Sequence, residues 1–85
     1  MEVKEAIKTA KAHASTVFEG EAIRLEEVWF EDDKGQWCVT VGLQRHETSL
    51  IRAGTRTHYK TIRVDDKTGA VISVRNHDKM PVSPA

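Results

Sequence analysis

Val3, Ile7, Ala10, Ala14 and Val17 recur at i, i+4, i+7, i+11 and i+14, with Phe18 beside the last and Ala6 widening the line. At 3.6 residues per turn these positions fall on one side of an α-helix, so the spacing predicts an amphipathic helix of about five turns. Lys4, Lys8 and Lys11 border the stripe, where their stems cover apolar surface while the ammonium groups stay in water. Gly20 marks the expected stop.

Beyond Gly20 the period changes to two. Ile23 and Leu25 share one face, whereas Val28 and Phe30 share the opposite parity, which predicts a bulge or break near Glu26–Glu27. Asp32-Asp33-Lys34-Gly35 is turn chemistry. Trp37, Val39, Val41 and Leu43 then alternate with Cys38, Thr40, Gly42 and Gln44, so residues 28–44 read as a hairpin. The two tryptophans at its opposite ends, Trp29 and Trp37, are placed to face each other across the strands. Trp37 has the parity of the core; Trp29 has the other and is expected to be partly exposed.

Residues 45–57, with Gly54, three arginines and the pair Leu50–Ile51, read as a loop. A strand is expected over about 58–65, with Ile62 and Val64 inward. After the turn Asp65-Asp66-Lys67-Thr68-Gly69, a last strand is expected with Ala70, Ile72 and Val74 on one face and Val71 on the other. From Asn76 the chain turns polar and carries Pro81 and Pro84, so residues 1–77 form the expected domain and 78–85 a frayed tail. The fold class is α+β: one N-terminal helix packed on a four-stranded antiparallel sheet, in the order α-β-β-β-β and two layers. The face away from the helix is then polar and wet, or an interface.

At 85 residues there is room for one domain with a thin core, which leaves little protein to wall a deep substrate pocket. Cys38 is the sole cysteine and has no intramolecular partner; Met1 to Lys11 is charged, without an apolar signal-like run. Both features predict a cytoplasmic protein. No apolar stretch approaches the roughly 20 residues that a membrane helix needs. His13, His46, His58 and His77 are scattered and no Cys-x-x-Cys or His-x-x-x-His occurs, so neither a metal nor a cofactor is expected. Cys38 reads as a packed thiol inside a strand rather than a nucleophile. Glu26–Glu27 and Asp32–Asp33 are sequence neighbours that diverge on a strand, so neither makes a shared acid–base pair. The expectation is a protein without catalytic residues.

Formal charge is zero, but it is unevenly spread. Residues 19–33 hold seven acidic side chains against Arg24, whereas from Lys34 onward nine Lys and Arg face four acids. Pairing across adjacent strands accounts for this asymmetry. The sharper alternative is a basic patch of Arg45, Arg52, Arg56 and Lys60, with Arg63, His58 and Tyr59 nearby, suited to nucleic acid or to an immunity or antitoxin role. A pI near 6.9 argues against a dedicated nucleic-acid binder. Trp29 is the candidate for a protein contact, as an aromatic on the open sheet face. The partner is another protein or a second copy meeting a sheet edge, with no membrane involved.

The run Val64-Asp65-Asp66-Lys67-Thr68-Gly69-Ala70-Val71-Ile72-Ser73-Val74 resembles the closing hairpin of PepSY domains, in which an aspartate turn with Thr-Gly leads into a small apolar strand. The helix VKEAIKTAKAHA and the hairpin end GQWCVTVGLQR are also similar to that family in their order, across about residues 3–77. The resemblance implies a small non-enzymatic module, related to peptidase propeptide domains, that binds and inhibits or regulates another protein. No functional residue of that family carries over by position.

Overall fold

In the computed structural model, which describes residues 1–48 and 53–77 and the side chains of 1–44 and 57–77, one helix is followed by four strands. The elements are α1 (Val3–Val17), β1 (Ala22–Glu31), β2 (Gln36–Thr48), β3 (Ala53–Asp65) and β4 (Val71–Asn76). All four strands pair antiparallel in the order β1-β2-β3-β4, an α+β arrangement with the helix packed on one face of an open meander. Residues 78–85, the expected tail, lie outside the described part.

The helix starts where the Glu5 carboxylate accepts the Glu2 N–H at 3.2 Å, satisfying one of the donors a helix start leaves free. Its expected face is the one that packs, but the burial falls on the smallest residues. Ala6, Ala10 and Ala14 are fully buried, whereas Val3 and Val17, in the first and last turns, remain 39% and 52% exposed. A row of methyl groups lets the helix backbone approach the strands closely. Phe18, just past the helix, packs on the core instead of Val17.

Against those alanines lie Val39, Val41 and Leu43 of β2 and Ile62 and Val64 of β3, all at most 1% exposed. Trp37 joins them, as its parity implies, and stacks at a tilt on Phe30 with ring centroids 4.9 Å apart. Trp29 does not face Trp37. It pairs with Cys38 on the opposite side of the sheet, because antiparallel register sets Phe30 against Trp37. The expected loop over 45–57 is mostly strand: β2 and β3 pair without interruption from Gln36↔Asp65 to Thr48↔Ala53, and residues 49–52 lie outside the described part. Backbone pairing continues past the apolar core there, and hydrophobic alternation is blind to it.

Each outer strand carries a bulge. In β1, Leu25 opposes Val41 and Glu27 opposes Thr40, so Glu26 is the extra residue, at the place where the parity change predicts it. That bulge also corrects the expectation that Glu26 and Glu27 diverge. Glu27 pairs with Thr40 on the open face, and the Glu26 carboxylate lies over Gly42 on the same face, 2.9 Å from where a Cβ would stand. In β4, Val64 opposes Val71 and Arg63 opposes Ser73, leaving Ile72 extra. The phase of β4 therefore differs from simple alternation: Val71 and Val74 pack on the core, while Ile72 is 48% exposed.

The two turns at one end of the sheet are tied together. Gly35 (φ 62°) and Gly69 (φ 72°) take the left-handed backbone that closes each turn. Asp65 accepts the N–H of Lys67 and of Thr68 and the Thr68 hydroxyl, at 2.8–3.1 Å. Asp66 bridges the turns: its N–H donates to the Gly35 carbonyl at 3.0 Å and its carboxylate accepts the Trp37 indole N–H at 2.9 Å. Replacing Ala10 by Leu is expected to cost about 1–3 kcal/mol by overfilling the helix–sheet interface. The same change at exposed Val17 is expected to stay within about 0.5 kcal/mol, both read from urea midpoints.

Candidate functional site

The face of the sheet opposite α1 carries no covering element among the described residues, yet its centre is dry. Cys38 is fully buried and Thr40 is 2% exposed, although both point away from the helix. Side chains of neighbouring strands supply the cover. Across one row of the sheet, Trp29, Cys38, Arg63 and Ser73 stand side by side on β1, β2, β3 and β4.

Arg63 holds Glu31 in a two-pronged ion pair, Nη1 to Oε2 at 2.9 Å and Nη2 to Oε1 at 3.2 Å. The Trp29 indole N–H faces the same carboxylate at 3.5 Å, and Gln36 Oε1 accepts from Arg63 at 3.4 Å. A planar guanidinium matches a carboxylate in two bonds at once, so this pair is rigid as well as charged. The hydrogen bond from Arg63 holds the Glu31 carboxyl at about 2, far below the usual range, and Glu31 in turn raises the Arg63 pKa. Burial pushes the Cys38 thiol up, only partly opposed by the Arg63 charge. A thiol held protonated and out of solvent is a poor nucleophile.

One step along the strands a second polar chain runs from β2 across β3 to His77, just past β4. The Thr40 and Thr61 hydroxyls lie 3.0 Å apart, and Thr61 Oγ1 is 3.1 Å from His77 Nδ1. These bonds let Thr40 be buried without leaving its hydroxyl unsatisfied. Among the described residues the Ser73 hydroxyl is buried with no partner. Among the described residues no three His, Cys, Asp or Glu side chains come close enough to hold a metal ion.

Trp29 therefore sits half-buried on the open face, at the edge of the Glu31–Arg63 pair. Lys60 lies on the helix side, its Nζ 5.6 Å from the Phe18 ring centroid and donating to Asn76 Oδ1. Arg45 and Arg56 are directly opposed backbone positions, and Arg52 lies outside the described residues. Because β3 is an inner strand, Lys60 and Arg63 guard no edge. The residues that organise the open face, Glu31, Cys38, Thr40, Thr61, Arg63 and His77, share a face only through register. The one sequence signal for them was the small-polar run Cys38, Thr40, Gly42 opposite the core residues of β2. No helix among the described residues is long and apolar enough to cross a membrane.

Comparison with family models, with curated proteins and with solved structures finds no match to the chain.

The depressed Glu31 pKa sets an acid response. The folded state keeps Glu31 ionised below the pH at which the unfolded chain takes up its proton, so stability rises with pH from about 2 to about 4.5 and is lost as pH falls through that window. Asp65, lowered by its bonds from Thr68, acts in the same direction. Glu31→Gln is expected to be less stable than the parent at pH 7 and to show a flatter decline below pH 4.5, measured by urea unfolding at several pH values.

Proposed function

We propose that this chain is a small non-catalytic protein-binding module, PepSY-like in its order of elements, that regulates or inhibits the protein it holds and does so in the cytoplasm. The observation that carries the reading is the open face: a sheet surface sealed by its own side chains, with the Glu31–Arg63 pair fixed near its turn end and Trp29 beside it. Interfaces draw their energy from a few rigid aromatic and arginine side chains held in place before the partner arrives. Trp29 and Arg63 are of that kind, and the ion pair restrains the guanidinium in advance. The buried, protonated Cys38 speaks for packing over chemistry. A bound polypeptide would lay its own apolar and acidic groups along the row from Trp29 to Ser73.

A nucleic-acid or immunity role for the basic 45–63 segment would show a different signature, since phosphate contacts release counterions and weaken steeply with salt. The test is a pull-down with the tagged chain at about 50 and 300 mM salt, with and without nuclease, followed by titration of the captured species. The expected outcome is one protein retained at both salts, insensitive to nuclease, whose affinity falls at least tenfold on Trp29→Ala. Capture that vanishes at high salt or after nuclease, and survives Trp29→Ala, would overturn it.

A further inference from the structure

The helix does not cover its face of the sheet evenly. At β4, Val71 and Val74 pack on the core. At β1, Leu25 and Phe30 point to the same face, opposite Val41 and Trp37, yet stay 39% and 36% exposed. The helix runs from the turn end, where Met1 lies against Gly69, toward Phe18 beside Lys60, and so opposes β1 in direction. Its right-handed winding turns the residues after the buried alanines, Ile7 and Lys11, toward β1, and those before them, Thr9 and His13, toward β4. Ile7 is half-buried, and Val3, one turn earlier, is 39% exposed. Val3, Ile7, Leu25 and Phe30 therefore border one apolar ledge between the helix and the edge strand.

Lys4, Lys8 and Lys11 rim this ledge. All three are exposed, and among the described residues none is in an ion pair. Glu5, the acid three residues before Lys8, accepts the Glu2 N–H instead. Like charges at such helical spacings repel and weaken the helix that carries them. The row does little for folding, and it places a line of cations beside exposed apolar surface.

The surroundings select the occupant. A strand added to the edge of β1 would meet the Glu26 bulge and the charges of Arg24, Glu27 and Glu31, which keep strands away. A lipid surface or a nucleic-acid duplex is a broad field of anions. It would also meet Glu19 and Glu21 beyond one end of the lysine row and Asp32 and Asp33 beyond the other. A narrow acidic segment avoids both conflicts. From Lys4 to Lys11 the row is about 10 Å long, two turns of a facing helix. We propose that the ledge docks a short acidic amphipathic helix of a partner protein, its apolar stripe on Ile7, Leu25 and Phe30 and its carboxylates against Lys4, Lys8 and Lys11. Helices commonly enter apolar grooves in this way. The ledge lies on the face opposite Trp29 and does not depend on the open-face reading, so Trp29→Ala is expected to leave it intact.

The test uses the full chain and a synthetic peptide of about 18 residues with Leu and Glu at helical spacing. The peptide is expected to gain helicity on binding and to shift the amide resonances of Ile7, Lys8, Leu25 and Phe30. A counterpart with Lys in place of Glu is expected to bind at least tenfold more weakly. The triple replacement Lys4→Gln, Lys8→Gln and Lys11→Gln is expected to cost the acidic peptide at least tenfold in affinity while the thermal midpoint of the chain stays level or rises. Leu25→Thr is expected to weaken binding as well. Failure of the acidic peptide to bind overturns the proposal, as does binding that survives the triple replacement or shifts only the open-face amides of Trp29 and Arg63. Tighter binding of a DNA duplex or of anionic phospholipid vesicles, lost on the triple replacement, also overturns it and assigns the lysines to a different anion.

Discussion

A single helix can cover one face of a four-stranded sheet, and every other feature of the molecule answers to that limit. The helix takes the face built from Val39, Val41, Leu43, Ile62 and Val64. The opposite face must exclude water with what the strands carry. Small residues, Cys38, Thr40 and Gly42, keep the sheet thin there, and longer polar side chains from the neighbouring strands close over them. Burying polar groups is tolerable only when they are bonded, and the hydroxyl–hydroxyl–imidazole chain and the guanidinium–carboxylate fork satisfy that condition. Exposed ion pairs usually add little stability. This one differs because its two-bond geometry also shields a thiol.

The same limit explains where the sequence could be read and where it could not. Contacts among near neighbours left clear marks. The helical stripe, the bulge at Glu26, the hairpin around Asp32–Gly35 and the Asp65–Gly69 turn all follow from residues a few positions apart. The open face did not, because its bonds join residues 16 to 32 apart, such as Thr61 to His77 and Glu31 to Arg63. Only the register of three strands brings these groups together. Two local readings also failed for physical reasons. Alternation marks a strand only where one face is buried, so the polar ends of β2 and β3 passed for a loop. In β4 a single extra residue moved Ile72 out of phase, and Ala70-Ile72-Val74 is as regular a pattern as any real strand face.

The alanine line on α1 has a consequence for how the chain comes together. The helix leaves the site of synthesis before any of the strands it must cover, and it touches all four of them. A helix waiting with leucines exposed would offer a large apolar surface to other chains. With Ala6, Ala10 and Ala14 at its centre, beside Val3, Ile7 and Val17, the helix exposes less apolar surface than a leucine-lined one would. Each strand pairs with the one before it in the chain, so no long loop must close before its contacts form.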